Sequence, residues 1–267
     1  MEIIRKIALL FILFAMLLSA ACKKGDTTSV TDKPVVIAYL LPGHAVSIGV
    51  YQQKGLADTA TYGAAITGLQ LSLSNGSQTV NLTETTAGNY TYSNTAFLLS
   101  GKTYTLNFTY LNQTVTATAL IPAKPTGYTA SRTTVNVPLV TSNAPGTADS
   151  VIFSLKWNNP DSLYHVIVFK NDDNSPFGLR PQINSPINFT INAKQADHYD
   201  VYFRTINYLG VYRAILYSVD KAYTDILTSN ANTTSQKLAD PPGNITNGYG
   251  IFTGMQADTI KLTITQY

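Results

Sequence analysis

The chain has few of the side chains that usually carry out catalysis or bind metals. Charged residues make up only 12% of its 267 residues, and it contains three histidines and one cysteine. His44, His165 and His198 are not spaced as metal ligands, either from one another or from the cysteine. Neither a Gly-x-Ser-x-Gly nucleophile motif nor a phosphate-binding loop occurs. We therefore expect no catalytic residues, no metal, no cofactor and no enzymatic activity.

The sequence also lacks a cluster of charges of one sign. Without Met1–Ala21 it carries 16 basic and 14 acidic residues, and Lys23 and Lys24 account for the excess of +2. The absence of a basic patch argues against a nucleic-acid partner. Asn171-Asp172-Asp173-Asn174 lacks the alternation and the glycine of a calcium loop, so we interpret it as a solvated turn.

No apolar run is long enough to span a bilayer as a helix. Ile7–Leu18 is about 12 residues against the roughly 20 required, and it follows the basic residues Arg5 and Lys6. Ser19-Ala20-Ala21-Cys22 comes next, a layout typical of a secretory signal with small residues before the cut. We predict a signal peptide at 1–21 and a flexible polar tether at 22–33.

Cys22 is the only cysteine, so the chain cannot form an internal disulfide. Its position resembles the lipobox of bacterial lipoproteins, with Leu18 four residues before the cysteine instead of the usual three. That resemblance implies that Cys22 becomes the acylated N-terminus and that the protein is held on a membrane by its lipid. The predicted location is the outer membrane. A single acid, Asp26, follows the cysteine closely, so the sequence leaves open whether the protein faces the periplasm or the cell surface.

What the chain does contain is typical of β-structure: 17 tyrosines and many Thr, Ser and Asn residues. Thr103–Tyr110 alternates clearly, and Asn75-Gly76 predicts a type I′ hairpin turn. Leu111-Asn112-Gln113 predicts the position where the next hairpin turns. Seven short strands before Pro122 predict an immunoglobulin-like sandwich over 34–122. The predicted strands are Val35–Leu40, Ala45–Tyr51, Gln70–Ser74, Gln78–Asn81, Gly88–Ser93, Thr103–Leu111 and Gln113–Ile121.

The second half predicts a fibronectin-type-III-like sandwich over 123–267. It has a tryptophan, Trp157, on an early strand and a later Tyr-x-Val-x-Phe strand in which Tyr199 fits a tyrosine corner. Helical spacing predicts one short inserted helix at about 218–229, with Ser218 as its N-cap. The predicted fold class is therefore all-β, with two sandwich domains.

Two stretches invite a binding interpretation. Trp157 and the tyrosines could stack on sugars, but Trp157 alternates with Phe153 and Leu155, which favours a core position. In the Gly-rich segment 243–254, Asn244, Tyr249 and Phe252 could contact a partner. The alternative is that Ile251 and Phe252 begin a strand that returns to the core.

The chain is also similar to an uncharacterised family of Bacteroidota outer-membrane lipoproteins, a domain of unknown function. The resemblance rests on Pro241–Phe252, Gly88-Asn89-Tyr90, Gly101–Leu106 and Val115–Pro122, and it covers roughly 34–267. Members are often encoded near TonB-dependent receptors, so the resemblance implies a non-enzymatic accessory or interaction module beside an envelope protein. A glycan- or surface-ligand-binding lipoprotein is the alternative. Four Asp-Ser/Thr-aliphatic sites resemble Bacteroidota O-glycosylation sites: Thr59, Ser150, Ser162 and Thr259.

Overall fold

A computed structural model describes residues 32–53, 62–138, 149–180, 185–230 and 243–267. The predicted signal peptide 1–21, Cys22, nearly all of the tether 22–33 and Thr59 lie outside these residues. Residues Lys33–Tyr267 form one compact unit.

The described residues form eighteen strands and one α-helix, with alternating burial along the longer strands, as in Thr103–Tyr110. Such alternation arises because successive side chains point to opposite faces of a strand. The elements are β1 (Val35–Leu40), β2 (Val46–Tyr51), β3 (Ser72–Ser74), β4 (Thr79–Asn81), β5 (Thr83–Thr86), β6 (Asn89–Tyr92), β7 (Thr103–Tyr110), β8 (Gln113–Leu120), β9 (Thr126–Ala130), β10 (Thr134–Val137), β11 (Val151–Asn158), β12 (Tyr164–Asn171), β13 (Phe189–Lys194), β14 (His198–Tyr202), β15 (Gly210–Val219), α1 (Lys221–Asn230), β16 (Ile245–Thr246), β17 (Tyr249–Gly254) and β18 (Gln256–Gln266), with a 3-10 turn at Phe203–Thr205.

The fold is all-β, with two sandwiches, as the sequence predicts. In the first, the sheet β17-β1-β2-β6-β5 faces the sheet β16-β8-β7-β3-β4. In the second, the three-stranded sheet β14-β11-β9 faces β10-β18-β15-β12-β13. Each sandwich encloses its own apolar core, and a smaller cluster around Val166, Val219 and Met255 lies at the junction between them.

The C-terminal part of the chain belongs to both sandwiches. After β15 and α1, the strands β16 and β17 pair with β8 and β1 of the first sandwich, and β18 then returns to the second. Only Met255 separates β17 from β18. The prediction that 123–267 forms the second sandwich alone is therefore wrong for 245–254, because these residues pair over a distance that leaves no local pattern in sequence.

The two predicted hairpins are present, and the second turns at Leu111-Asn112 as predicted, but the first does not have the predicted type I′ turn. In the β3–β4 hairpin, Asn75 pairs with Gln78 and only Gly76 has a positive φ, 86°. Positive φ at both central residues, the signature of a type I′ turn, occurs instead at Leu111 (47°) and Asn112 (62°).

The helix begins three residues later than predicted. Ser218 is the buried penultimate residue of β15, and the Asp220 side chain accepts a hydrogen bond from the Tyr223 N–H at 2.9 Å. Asp220 is therefore the N-cap. The prediction of Ser218 as the N-cap is wrong, because β15 continues through Val219, the first residue of the helical spacing.

The tyrosine corner is not at Tyr199 as predicted. Among the residues that the structure describes, the Tyr199 hydroxyl has no hydrogen-bond partner. The buried Tyr212 donates to the Tyr208 carbonyl four residues earlier, at 3.0 Å, near the start of β15. In the first sandwich, the Tyr104 hydroxyl donates to the Phe97 carbonyl and accepts from the Leu99 N–H. Both tyrosines tie the start of a strand to the loop before it.

Candidate functional site

The Gly-rich segment 243–254 closes one side of the first sandwich. β17 pairs in parallel with β1 over the register Val35–Tyr249 to Leu40–Gly254, and β16 pairs antiparallel with β8. Without the segment, β1 and β8 would be the edge strands of the two opposite sheets, so the segment covers both edges at once. It therefore protects backbone groups that would otherwise be exposed for pairing with another chain.

Asn244 holds this segment in place. Its side-chain amide donates to the Phe252 carbonyl at 2.6 Å and the Thr118 carbonyl at 3.3 Å, and its oxygen accepts from the Phe252 N–H at 3.0 Å. One side chain thus satisfies both backbone groups of Phe252 and connects them to β8. Its polar atoms are occupied by the chain itself.

Gly250 is required by the close approach of β17 to β1. Its φ is 102°, and a Cβ at this position would lie 2.1 Å from the Val36 carbonyl oxygen. Both the backbone conformation and the lack of space therefore demand glycine.

The partner-binding interpretation of this segment does not fit Phe252, because its side chain is fully buried in the first core. Tyr249 is half-buried, with the Lys33 ammonium 5.3 Å from its ring centre. The alternative interpretation, a strand that returns to the core, describes Ile251 and Phe252, although the core they join is that of the first sandwich.

A polar pair lies inside the second sandwich, near the junction. The Ser218 Oγ is 3.3 Å from the His165 Nε2, and each residue is 1% exposed. Burial lowers the pKa of His165, partly opposed by the Leu163 carbonyl. The His165 ring contacts Trp157 at 5.4 Å between centres, and Trp157 is only 4% exposed, in agreement with its predicted core position.

A shallow cavity of about 350 Å³ lies on the surface of the same sandwich. It is lined by Lys156, Asn158, Asp197, His198, Gly127 and the edge of Trp157. A 2.8 Å contact between His198 Nδ1 and an Asp197 oxygen lowers the pKa of that carboxyl. The described residues contain no group of three or more His, Cys, Asp or Glu side chains placed to hold a metal ion.

The strand directions define two opposite ends of the molecule. At one, here called the hairpin end, lie Lys33-Pro34, the Leu111-Asn112 turn, and Asn247-Gly248. At the other, the far end of the second sandwich, β12, β14 and β18 end and β11 and β15 begin. Several large apolar side chains of that second end are exposed: Val151 47%, Phe177 59%, Ile187 38% and Tyr267 78%.

Sequence reasoning did not identify this group of exposed apolar residues, because no periodic pattern marks single apolar residues at strand ends and in loops. Of the four predicted glycosylation residues, Ser150, Ser162 and Thr259 are exposed. The helix that the structure describes has neither the length nor the hydropathy to cross a membrane.

Together these features define an all-β protein of two β-sandwiches, which are joined by a C-terminal segment that contributes strands to both. The chain belongs to the family Domain of unknown function (DUF4249), whose model matches residues 24–261. No curated protein shows significant similarity to it.

Two solved structures are similar to the chain at low identity. One is the chicken CNTN1 FN1-FN3 domains, with 11% identity over 88% of this chain and a TM-score of 0.29. This chain spans 66% of that one, slightly under two thirds of its length. The other is a chimeric titin Z1Z2 functionalized with a decorin peptide, with 12% identity, 88% of this chain and 97% of that chain covered, and a TM-score of 0.21.

Proposed function

We propose that the protein is a non-enzymatic, lipid-anchored accessory module of the bacterial outer membrane that presents the far end of its second sandwich to an envelope protein. A TonB-dependent transporter is the favoured partner. The observation that carries the proposal is that the exposed apolar residues lie at the far end of the second sandwich. Lys33, from which the chain leads back to Cys22, is at the opposite end of the molecule. Exposed apolar side chains grouped at one end of a soluble fold are typical of interaction surfaces.

The lipobox-like sequence supports the anchor. Metabolic labelling with a fatty-acid analogue should label the wild-type protein, and Cys22→Ala should abolish both the label and the membrane association. A Cys22→Ala protein that remains in the membrane fraction would contradict the lipid anchor. Protease treatment of intact cells then distinguishes the surface face from the periplasmic face.

The interaction is tested by site-specific photo-crosslinking in cells. A photoreactive residue at Phe177, which is 59% exposed, should form a crosslink to an outer-membrane receptor. The matched control is Tyr39, another exposed aromatic at 44%, which lies on β1 in the first sandwich. A receptor crosslink from position 177 but not 39 is the expected result. Equal yields at the two positions, or no envelope protein at either, would contradict the proposal.

The alternative function, binding of a glycan or another surface ligand, draws support from the polar cavity beside Trp157. Because the tryptophan is buried, recognition there would depend on hydrogen bonds from Lys156, Asn158 and His198. Titration calorimetry with envelope oligosaccharides should then show binding that His198→Ala weakens. Absence of heat with every oligosaccharide would remove this alternative.

A further inference from the structure

We propose that the tip of the β7–β8 hairpin, Leu111-Asn112, contacts the lipid bilayer to which Cys22 is anchored. The bilayer contact rests on the proposed function, because it presupposes the lipid. It adds a second, non-covalent attachment that fixes which end of the molecule faces the membrane.

The tip has a residue that its backbone disfavours. Leu111 has a φ of 47°, in the left-handed region, where Asn, Asp and Gly are the residues commonly found. Its side chain is 63% exposed and so adds little to the apolar core. A bulky apolar residue in a strained, solvent-exposed position suggests a role outside folding.

The tip projects beyond the point where the chain leads back to Cys22. The Asn247 amide donates to the Thr114 carbonyl at 2.8 Å, and a Cβ on the adjacent Gly248 would lie 3.1 Å from the Pro34 carbonyl oxygen. Thr114, near the tip of the hairpin, therefore lies beside the segment that contacts Pro34. Asn112 lies two residues beyond Thr114, which carries the tip roughly 7 Å further.

The short connection to the lipid keeps this end close to the membrane. Only ten residues separate Cys22 from Lys33, so even a fully extended chain spans no more than about 40 Å. By contrast, the extended chain from Tyr249 to Gln266 runs from the hairpin end to the far end of the second sandwich, and the two ends can therefore be up to about 60 Å apart. Of the two ends, the hairpin end is the one that the chain connects more closely to the lipid.

An exposed aromatic side chain at the hairpin end suits a membrane interface, where aromatic residues accompany apolar ones. Tyr62 is 47% exposed and stacks on Tyr51 at 4.8 Å, and Tyr51 pairs with Val35, the second residue after Lys33. Glu84 lies at the same end, and its carboxylate accepts hydrogen bonds from the Gly68 and Gly88 N–H groups. These bonds lower the pKa of Glu84 and direct its charge toward the backbone.

The test uses the complete lipoprotein in vesicles of phosphatidylethanolamine with a minor share of phosphatidylglycerol. With Cys22 acylated, Leu111→Cys supplies a single free thiol for a polarity-sensitive fluorophore. Ser77→Cys is the matched control, since Ser77 is exposed in the β3–β4 turn at the opposite end of the same sandwich. The expected result is a blue-shifted emission from position 111 that lipids with brominated acyl chains quench, with neither effect at position 77.

A second variant keeps the fold and changes only the tip. With the fluorophore at Gln113→Cys, the added change Leu111→Asn should reduce the quenching, because asparagine accepts the left-handed backbone but has no apolar side chain. Equal quenching at 111 and 77 would overturn the proposal, as would a blue shift that brominated lipids do not quench, the sign of contact with protein. Wild-type protein that does not float with the vesicles would instead refute the lipid anchor.

Discussion

Asn244 illustrates how a single side chain can determine the path of a whole segment. Its three hydrogen bonds reach Phe252 and Thr118, which belong to different strands of the first sandwich. In sequence, an asparagine in a glycine-rich stretch resembles a binding residue. In the structure, the Asn244 amide replaces a neighbouring strand, because it forms hydrogen bonds with both the N–H and the carbonyl of the buried Phe252.

Replacing Asn244 with alanine should therefore destabilise the protein. Asn244→Ala leaves the N–H and the carbonyl of Phe252 without their partner, at a cost of about 2–4 kcal/mol in the free energy of unfolding. Urea denaturation followed by circular dichroism measures the change. Asn81→Ala, at an exposed position of β4, is the control and should have little effect. A loss at Asn244 no larger than that at Asn81 would show that the hydrogen bonds contribute little.

At the scale of single elements, β17 depends on the absence of a side chain at Gly250. Its neighbour Val36 is close enough that no rotamer change could make room, since the obstacle is a backbone carbonyl. The strand can lie beside β1 only as long as this position is glycine.

Gly250→Ala should therefore cost about 3–4 kcal/mol of unfolding free energy, through the clash and the unfavourable backbone together. Gly76→Ala is the matched control, because Gly76 also has a positive φ, 86°, but no atom lies within 4 Å of its added Cβ. That variant should lose only about 1–2 kcal/mol. Equal losses of unfolding free energy in the two variants, measured by chemical denaturation, would mean that backbone strain alone explains why position 250 requires glycine.

The helix α1 has an N-cap whose charge is unfavourable. Burial raises the pKa of Asp220, while hydrogen bonds from the Tyr223 N–H and the Thr253 hydroxyl partly oppose the shift. A carboxyl with a raised pKa in the folded state contributes stability below its unfolded pKa, about 3.9, and loses it as the pH rises through the folded value.

Asp220→Asn should accordingly be more stable than the wild type at pH 7, because asparagine caps a helix equally well without a buried charge. The difference should shrink as the pH falls through the raised pKa of Asp220 and should be absent well below about 4, where the carboxyl is protonated in both states. Denaturation at both pH values tests the sign. Asp225→Asn, which removes the exposed pair with Lys221 at 2.6 Å, should instead lower stability slightly at pH 7. An Asp220→Asn gain that is independent of pH would exclude the buried charge as its cause.

How much of this could be predicted from sequence depends on the range of the contacts involved. Strands such as Val35–Leu40 and Thr103–Tyr110 were predictable because alternation is local and strong. The core position of Trp157 followed from the same alternation. The pairing of β17 with β1, more than 200 residues away, leaves no periodic trace. The structural role of Asn244 depends on that pairing, so it could not be predicted from the sequence either.

At the scale of the whole molecule, the chain crosses between the sandwiches several times. It passes from the first to the second after β8, returns from α1 to β16, and crosses again at Met255 between β17 and β18. The ring of Tyr223 on α1 also meets that of Tyr39 on β1 edge to face, 6.0 Å apart between centres. The two sandwiches therefore share backbone, helix contacts and a junction core.

We expect the sandwiches to unfold in one cooperative transition. Calorimetry of the wild type should show a single peak whose calorimetric and van't Hoff enthalpies agree. Gly250→Ala should lower the midpoint for probes in both sandwiches, including the fluorescence of Trp157 in the second. Two separate transitions in the wild type would contradict the coupling.

The parallel pairing of β1 with β17 also sets an order of events as the chain is made. The first forty residues include a strand whose partner is absent until residue 254 has followed. During that interval the outer edges of β1 and β8 are unpaired, and the place of Phe252 in the core is empty. Until residues 245–254 of its own chain have been made and have paired, the first sandwich can therefore accept a strand from another chain.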